Sequence, residues 1–519
     1  MEALSEAIHL TLANPSVWLI VIVASGFGVF IGAIPGLTAT MAVALMVPVT
    51  YWLDPVEAIA AVVAMVACAI FAGDIPAALL RIPGTPASAA YANDARELTR
   101  QGKSDSTLGT ALVCSVSGGL MGSIVLISLG HQLANFATAF SSAEYFWLYL
   151  LGLSCAVVVS AGSTLNALIS LILGLMLATI GLSAVHTEAR FTFGIAEMYN
   201  GVSFIPAMIG LFGVSEVFSN LVRLRSTEGQ EPEFLDTGKR VFTGAFQKFI
   251  LVPIKLVLGS GFKLIFSRKK QALRSGAIGV LIGMLPGAGG DIAAWVSLAI
   301  SKRFSQKPET YGRGSIEGLA DATTSNNAAL AGAWIPALVF GIPGDSVTAI
   351  VIGVLLMKNI TPGPDIFVKQ AGLVYSIYLL FILANLVLLP IGMLAIKAGS
   401  NIVRVPRRIL LPVILLFCIV GSYALNGSYF DVVTMLAMAV LGFILERRNI
   451  PLAPVVLGLI LGPALEERFV QTMTGSDGFL NAFLNPDRPV ALVLGIVFIT
   501  LWLSTVIRGT IRSLKSSEE

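Results

Sequence analysis

Charged residues are scarce in this sequence. Lys, Arg, Asp and Glu together make up 12% of its 519 residues, whereas a soluble globular protein carries about 25%. The shortage excludes an ordinary soluble globular fold, and we expect no nucleic acid among the partners. The formal net charge of +3 adds little, because the positions of the charges matter more than their sum.

Cysteine and histidine are also rare, and their positions exclude the common metal and disulfide sites. The three histidines are not spaced as metal ligands, so we expect no zinc, haem or other cofactor. An intramembrane enzyme would need a buried His, Cys or Asp dyad, and the sequence offers no convincing one. The four cysteines, which read as small apolar residues because each lies alone in an apolar segment, are Cys68, Cys114, Cys155 and Cys418.

What the sequence does contain is long apolar runs. Examples are 108–130, 371–396 and 489–507, each close to the roughly 20 residues that a helix needs to cross a bilayer. The sequence therefore predicts an all-α polytopic membrane protein. The first fifteen residues contain Glu2 and Glu6 but neither Lys nor Arg, which is unlike a cleavable signal peptide, and we expect none.

Two pairs of similar motifs indicate an internal duplication. The stretch "GVFIGAIPG" at 28–36 matches "GVLIGMLPG" at 279–287, with an offset of 251 residues. The stretch "IPAALLRIPG" at 75–84 matches "IPALVFGIPG" at 335–344, with an offset of 260. The difference between the offsets falls in a polar loop, where insertions are tolerated. We therefore expect two equivalent halves.

The first motif of each half is predicted to form a re-entrant hairpin with Pro-Gly at its tip. In the second half the arms are about 275–285 and 291–300, and each would cover only about 15 Å, half of a bilayer core. Clusters of Lys and Arg flank this hairpin, and such clusters favour the cytoplasmic face. The first-half hairpin has none and should enter from the outer face. Inverted repeats of this kind are typical of secondary transporters.

The remaining basic clusters all fall on one side if the N-terminus is periplasmic and the C-terminus cytoplasmic. The predicted segments are a first repeat, 1–222 (hairpin 17–53, broken segment 56–98, spans within 106–222); a basic cytoplasmic connector with an interfacial helix, 223–274; a second repeat, 275–471 (hairpin 275–304, broken segment 315–357, spans within 371–470); and an outer loop, last span and cytoplasmic tail, 472–519. The predicted spans are 106–130, 145–161, 165–182, 203–222, 371–396, 409–424, 430–445, 452–470 and 489–507.

The Pro-Gly breaks also indicate a binding site. Broken backbone at membrane depth leaves N–H and C=O groups unpaired unless protein, water or ligand supplies partners. A helix that restarts after a break presents free N–H groups, which attract anions. Simple kinks in spanning helices are the alternative. The residues expected to contact a substrate carboxylate are Gly36, Leu37, Thr38, Ala39, Thr40, Gly84, Thr85, Pro86, Ser88, Gly287, Ala288, Gly289, Gly344, Asp345 and Ser346.

A second candidate site is the polar run "DATTSNNAA" at 321–329. Its first-half equivalent, "AVVAMVACA" at 61–69, is apolar, so the duplication fails here. Polar residues are costly at membrane depth, and Ser, Thr and Asn oxygens together with unwound carbonyls are ligands that Na⁺ favours. A hydrogen-bond cluster between helices is the alternative. The residues predicted to bind a coupling Na⁺ are Thr324, Ser325, Asn326 and Asn327.

Three ionisable residues near the breaks have open roles. Arg81 is included in the substrate site, but it could instead pair with Asp74, two helical turns earlier, or reach lipid headgroups. Asp291 and Asp345 each follow a Pro-Gly break at a helix start, where capping is the common role. We expect capping for Asp291 and leave Asp345 open as an ion ligand.

These motifs resemble those of the large membrane subunit, TctA, of the tripartite tricarboxylate transporters. The resemblance is carried by "GVFIGAIPGLTATMAVALMVPVTY", "IPGTPASAA", "GVLIGMLPGAGGD" and "IPGDSVT", and it covers nearly the whole chain. It implies a permease of the bacterial inner membrane that uses a cation gradient, usually Na⁺, to take up small organic carboxylates. It also implies a small membrane subunit (TctB-like) and a periplasmic solute-binding protein (TctC-like) as partners. An elevator-like movement is suggested by analogy alone.

Two alternatives keep this architecture and change the mechanism. An H⁺-coupled carrier would need a titrating carboxylate such as Asp345 or Asp321. An anion channel is disfavoured because inverted hairpins suggest gates on both sides. Citrate, a C4-dicarboxylate, an aromatic acid or a short monocarboxylate would all suit these helix ends.

Overall fold

The computed structural model describes residues 2–160, 163–183, 185, 188–226, 254–402, 407–474 and 478–516. Most of these residues are helical, which confirms the all-α prediction. Within the described residues, two short strands form one antiparallel pair, β1 (Gly181–Leu182) with β2 (Ala189–Arg190).

The helices are as follows, in chain order. The first nine are α1 (Glu2–Leu10), α2 (Pro15–Gly32), α3 (Ala39–Tyr51), α4 (Pro55–Ala72), α5 (Asp74–Leu80), α6 (Pro86–Ala89), α7 (Ala92–Arg100), α8 (Ser104–Ala137) and α9 (Ser142–Val159). The next are α10 (Thr164–Ala178), a 3-10 helix (Ala196–Asn200), α11 (Phe204–Met208), a π-helix (Ile209–Val214), α12 (Ser215–Ser226), α13 (Ile254–Ser267), α14 (Lys269–Gly283), α15 (Gly289–Arg303) and a 3-10 helix (Pro308–Thr310). The last are α16 (Ile316–Phe340), α17 (Ser346–Met357), α18 (Ile366–Lys369), α19 (Ala371–Ile402), α20 (Arg407–Asn426), α21 (Tyr429–Arg447), α22 (Ala453–Thr474), α23 (Phe479–Phe483) and α24 (Pro489–Ser516).

Eight of the described helical segments are long and apolar enough to cross a membrane. Six of them coincide with predicted spans: Ser104–Ala137, Ser142–Val159, Phe204–Val222, Ala371–Gly399, Ile409–Asn426 and Tyr429–Arg447. The other two, Pro15–Gly32 and Pro55–Leu80, lie in the predicted first hairpin and first broken segment. The predicted spans 165–182 and 489–507 correspond to shorter apolar helices, and 452–470 lies in α22, which is not among the eight.

The helices break at all four Pro-Gly stretches. The gaps lie at 33–38, 81–85, 284–288 and 341–345, between α2 and α3, α5 and α6, α14 and α15, and α16 and α17. A side chain caps the helix after three of these gaps, because a hydroxyl or carboxylate can accept the otherwise unpaired N–H groups. The caps are Thr38, Thr85 and Asp345.

Equivalent positions of the two halves have equivalent backbone. Gly36 and Gly287, 251 residues apart, both have positive φ, +86° and +80°. Arg81 and Gly341, 260 residues apart, end their helices in the left-handed conformation at +59° and +69°. Each donates its N–H to carbonyls of the preceding helix at matching positions, and each is followed by the Ile-Pro-Gly that opens the gap.

The close packing of helices is also duplicated. A Cβ added at Gly28 or Gly32 of α2 would overlap the backbone of α4, at Met65 and Ala69. A Cβ added at Gly279 or Gly283 of α14 would overlap the backbone of α16, at Ser325 and Ala329, which are the equivalent positions. The two halves therefore repeat the same helix–helix contact, in which glycine permits the close approach.

The two helices at the predicted second hairpin are longer than the predicted arms. Instead of 275–285 and 291–300, the helices α14 and α15 each contain 15 residues, so each covers about 22 Å rather than about 15 Å. The prediction was wrong because it ended the arms where the apolar run ends. Lys and Arg have good helix propensity, so the helices continue into both flanking basic clusters.

The basic connector is described only in part. Helix α12 continues to Ser226, and α13 follows from Ile254. Residues 227–253, which hold part of the predicted cytoplasmic cluster, lie outside the described residues. The interfacial position of a helix in this connector stays a prediction.

Contacts divide the chain into two compact units. The first comprises Met1–Ala134, Ile205–Met284 and Ala288–Ile444; the second comprises Asn135–Phe204, Leu285–Gly287 and Leu445–Glu519. This division follows contacts and differs from the predicted repeats, which follow sequence similarity. The first unit contains three of the four gaps completely.

Within the second unit, aromatic rings and one ion pair connect distant parts of the sequence. The Trp147 indole donates to the Phe483 carbonyl at 2.8 Å, and the Phe469 and Phe483 rings stack with centroids 5.5 Å apart. The Arg190 guanidinium donates to both carboxylate oxygens of Glu466 at 2.9 Å, and this interaction raises the pKa of Arg190.

Candidate functional site

The first contact between Pro-Gly segments joins the two halves of the chain. The Thr40 hydroxyl in α3 lies 3.2 Å from the Ser346 hydroxyl in α17. Both residues stand in the first turn of the helix that follows a gap. The N-terminal ends of α3 and α17 therefore meet, and each presents a hydroxyl there.

A second contact joins the other two gaps. The Asp291 carboxylate accepts a 2.9 Å hydrogen bond from the Ala87 N–H, in the first turn of α6. The Trp295 indole donates to the Pro86 carbonyl at 3.3 Å. The expectation that Asp291 caps its own helix was wrong. Helix α15 begins at Gly289 without a side-chain cap, and Asp291 binds the start of a helix from the first half instead.

A third contact lies within the second half. A Cβ added at Gly289 would be 2.9 Å from the Asp345 Cβ, so the start of α15 rests against the cap of α17. Asp345 accepts the Thr348 N–H at 2.8 Å, and the Thr348 hydroxyl accepts the Asp345 N–H at 2.9 Å. This reciprocal capping assigns Asp345 a structural role at the helix start.

Glycines bring the two gaps of each half together. A Cβ added at Gly84 would be 2.8 Å from the Gly32 carbonyl oxygen. A Cβ added at Gly344 would be 2.5 Å from the Gly283 carbonyl oxygen, at the equivalent position. Together with the three contacts above, this connects the segments around all four gaps.

The other predicted substrate residues have varied positions. Thr38 caps α3 by accepting the Met41 N–H at 3.1 Å, and Thr85 and Ser88 cap α6 reciprocally at 3.1 Å. Leu37 is buried. Gly287 belongs to the second unit, where an added Cβ would be 2.6 Å from the Ala156 Cα. The remaining predicted residues, Ala39 and Ala288, flank the gaps at the starts of α3 and α15.

Asn220 contacts the first gap and was not among the predicted site residues. The Asn220 side chain in α12 donates to the Gly36 carbonyl at 2.9 Å and is buried. It supplies a partner for backbone that the break leaves unpaired, as a broken helix at membrane depth requires. The available signal was an asparagine within Phe204–Val222, a segment that is apolar enough to cross a membrane.

Tyr91 is a second residue that sequence analysis missed. Its hydroxyl donates to Asp74 at 2.5 Å and lies beside Asn326 and Asp291. A Cβ added at Gly290 would be 2.6 Å from the Asn326 Oδ1. Asn326 is therefore the member of the polar run that faces the start of α15, and Tyr91 connects it with the first half.

Arg81 does not pair with Asp74. The helix ends at Leu80, and the left-handed backbone of Arg81 directs its side chain away from the preceding helical face. The Arg81 guanidinium donates to the Asn93 side chain at 2.8 Å and is exposed, while Asp74 binds Tyr91. An exposed guanidinium beside the second gap can still reach an anion.

The polar run is helical throughout, so the expected unwound carbonyls are absent from α16. The Thr324 hydroxyl donates to the Ala320 carbonyl of its own helix at 2.8 Å. The Ser325 hydroxyl donates to the Ala293 carbonyl of α15 at 3.0 Å. Threonine and serine can satisfy their hydroxyls on helical carbonyls, which lets a polar run remain helical in an apolar setting.

Asp321, a candidate for proton coupling, is held by cations. Its carboxylate lies 2.9 Å from Arg274 and 3.4 Å from Arg268, and it accepts the Ser301 hydroxyl at 2.6 Å. Asp321 therefore joins α14, α15 and α16 through Arg274 and Ser301. Proton coupling through this carboxylate stays an alternative prediction.

Two cavities of about 340 Å³ and 280 Å³ are lined by other residues. The larger is lined mainly by apolar side chains with the Arg190–Glu466 pair, in the second unit. The smaller, in the first unit, is lined by Ser128, His131 and Tyr378 among others. Within the described residues, no group of three or more His, Cys, Asp or Glu side chains could hold a metal ion.

Comparisons with known sequences give matches over most of this chain. The family model described as the tripartite tricarboxylate transporter TctA family matches residues 18–457. An uncharacterized 52.8 kDa protein in the TAR-I ttuC' 3' region of Agrobacterium vitis is 32% identical over 484 residues, 93% of this chain and 92% of that protein. An uncharacterized protein in the TAR-II ttuC' 3' region of the same organism is 36% identical over 232 residues, 44% of this chain and 96% of that protein. No solved structure gave a significant match.

Proposed function

Because the chain belongs to the tripartite tricarboxylate transporter TctA family, a family of transporters and not of enzymes, we propose that it takes up small tri- or dicarboxylates with the energy of a cation gradient. The family works in tripartite systems with a small membrane subunit and a periplasmic binding protein. For this chain we propose a TctB-like and a TctC-like partner and a bacterial inner-membrane location.

The connection of all four gaps supports this proposal most strongly. The N-terminal ends of α3 and α17 meet at Thr40 and Ser346, and α15 begins against Asp345. Helix N-termini attract anions, and small residues at these positions allow a ligand to approach the backbone. The proposed substrate site consists of the predicted residues of the first unit that border the gaps, together with Arg81.

The proposed transport cycle has three steps. Na⁺ first binds in the polar run of α16, at one or more of Thr324, Ser325, Asn326 and Asn327. The carboxylate then binds between the helix N-termini. Asn326 connects the two events, because it lies against Gly290 at the start of α15. Reorientation finally exposes both ligands to the cytoplasm.

The proposed topology is that of inverted repeats with two re-entrant hairpins, the N-terminus periplasmic and the C-terminus cytoplasmic. It is supported by the equivalent backbone at Gly36 and Gly287 and by the repeated α2–α4 and α14–α16 contacts. The basic residues beside α14 and α15 support a cytoplasmic entry for the second hairpin.

Uptake into proteoliposomes tests the proposal. Vesicles hold this chain with its small subunit, and the binding protein and labelled citrate, succinate or an aromatic dicarboxylate are added outside. Uptake that requires an inward Na⁺ gradient, compared with K⁺ at fixed pH, supports the proposal. Uptake that follows a pH gradient and ignores Na⁺ favours an H⁺-coupled carrier. The absence of uptake of any acid under either gradient would contradict carboxylate transport.

A further inference from the structure

Among the buried side-chain oxygens of the first unit that have no hydrogen-bond partner, two lie on residues that are hydrogen-bonded to each other. They are the Oδ1 of Asn327 in α16 and the Oγ of Ser115 in α8. Asn327 is 1% exposed and Ser115 is 0% exposed. A buried polar atom without a partner is costly, and the cost is higher where the surroundings are hydrocarbon. Two such atoms on residues that contact each other mark a candidate ligand site.

The hydrogen bonds around Asn327 fix the direction of its amide. Its Nδ2 donates to the Ser115 carbonyl at 2.9 Å and to the Asn385 Oδ1 at 3.2 Å. The Asn385 Nδ2 in α19 donates to the Phe381 carbonyl at 2.8 Å, so the Asn385 Oδ1 is the acceptor. A flipped Asn327 amide would place its oxygen against two acceptors, so the unpartnered atom is the oxygen.

Two adjacent glycines bring α8 against both neighbours at this point. A Cβ added at Gly118 would overlap the Thr324 carbonyl in α16, and one added at Gly119 would overlap the Asn385 amide in α19. The three polar residues also lie deep in their helices. At 1.5 Å per residue, Ser115 and Asn327 are each about 17 Å from the first residue of their helix, and Asn385 is about 21 Å from its own.

The hydroxyl groups of the neighbouring polar residues in α16 already have hydrogen-bond partners, so these residues are not part of the unpartnered pair. Thr323 and Thr324 donate to carbonyls of α16, and Ser325 donates to α15. Asn327 is thus the one residue of the polar run with a fully buried, unpartnered side-chain oxygen in the described structure. The first-half equivalent, 260 residues earlier, is the buried Ala67, so the first half has no counterpart.

We propose that Ser115, Asn327 and Asn385 form the binding site of the coupling Na⁺. Neutral amide, hydroxyl and carbonyl oxygens at membrane depth are suitable ligands for Na⁺. None of the three residues titrates, so this site couples transport to a cation and not to a proton. The inference rests on the proposed cation-driven uptake, and it moves the site from the four predicted residues to Asn327 and two residues on other helices.

Thermal unfolding of the purified transporter tests the site without transport. Melting temperatures are measured in NaCl, KCl and choline chloride at constant ionic strength. We expect Na⁺, and not K⁺, to raise the melting temperature of the wild type by several degrees, because a ligand that binds the folded state stabilises it. Equal melting temperatures in Na⁺ and K⁺ would overturn the proposal and leave a bound water as the occupant.

The variant Ser115→Ala gives the sharpest comparison, since it removes an unpartnered hydroxyl and should fold. We expect its melting temperature in choline to equal or exceed that of the wild type, with an apparent Na⁺ affinity at least tenfold weaker. Asn327→Ala should lose the response as well. The matched control is Thr323→Val, one helical turn before Asn327, because the Thr323 hydroxyl donates to carbonyls of its own helix. This variant should respond as the wild type does. An unchanged Na⁺ response in Ser115→Ala would overturn the proposal.

Uptake by the same proteins separates this inference from the proposed function. Carboxylate uptake with identical Na⁺ dependence in wild type and Ser115→Ala would overturn the site and leave the function intact. A Na⁺ response lost in Ser115→Ala, with no carboxylate uptake by the wild type, would keep the site and overturn the function.

Discussion

The segments around the second gap of each half match in backbone and differ in side chains: the left-handed Arg81 corresponds to Gly341 and the cap Thr85 to Asp345. The first gaps match less closely, because Thr38 caps α3 whereas the equivalent Gly289 has positive φ and α15 has no side-chain cap. The buried helices α4 and α16 also differ: α4 is apolar at Ala67, whereas α16 carries Asn327 at the equivalent position. The two halves therefore share breaks at equivalent positions, and the polar run is present in the second half alone.

The largest expected effect tests whether the repeated helix contact is essential in both halves. Gly28→Val and Gly279→Val should each destabilise the protein by about 3 kcal/mol or prevent folding, because the side chain would overlap the backbone of the neighbouring helix. The yield and melting temperature of the detergent-solubilised protein measure this. Gly26→Val is the control in the same helix, since nothing lies within 4 Å of its added Cβ. If Gly279→Val folds with unchanged stability while Gly28→Val does not, the helix contact is not equivalent in the two halves.

The next prediction concerns the contact between the halves. Asp291→Ala should destabilise by about 2 kcal/mol, because it leaves the Ala87 N–H without its charged acceptor. The exposed Asp365, which pairs with Lys369, is the control, and Asp365→Ala should change the stability by less than about 0.5 kcal/mol. Equal effects of the two substitutions on thermal stability would show that Asp291 does not join the halves.

A third prediction replaces Arg81 of the first half with glycine, the residue at the equivalent position of the second half. Arg81→Gly keeps the left-handed backbone, since Gly341 adopts it at the equivalent position, and it removes the guanidinium alone. Folding stability should change by less than about 1 kcal/mol. The KM for carboxylate should rise about tenfold, equivalent to about 1.4 kcal/mol of binding. An unchanged KM would assign the guanidinium to Asn93 only.

The smallest effect concerns the contact between the two hydroxyls. Thr40→Val removes the bond to Ser346 and should cost about 1 kcal/mol. The double variant Thr40→Val with Ser346→Ala should show non-additive losses, since the two groups interact directly. Strict additivity in melting experiments would mean that these hydroxyls act independently.

Sequence patterns predicted those features of the fold that depend on residues close together in the sequence. Long apolar runs gave six spans, and Pro-Gly within an apolar run marked all four gaps, because proline and glycine act on their own backbone. The hairpin arms were predicted too short because charged residues at the ends of apolar runs still form helix. The role of Arg81 could not be predicted because the sequence alone does not show that its backbone is left-handed.

The site was less predictable because its contacts join residues far apart in the sequence. Asp291 was expected to cap its own helix, and it binds Ala87 from the other half. Asn220 and Tyr91 gave weak signals alone, and their roles depend on Gly36 and Asp74. Polar residues in apolar helices therefore indicated that partners exist, but not which ones.

The central claim is that the gaps of both halves form one carboxylate site, and protection from labelling tests it most directly. A single cysteine is introduced as Ser346→Cys or Thr85→Cys, with Thr474→Cys as an exposed control, and the rate of reaction with a maleimide is measured. The native cysteines give a low background because three are buried and Cys155 is partly buried. A transported carboxylate with Na⁺ should slow the labelling of both site cysteines at least fivefold and leave the control unchanged. Equal rates with and without a saturating carboxylate that is demonstrably transported would contradict the account.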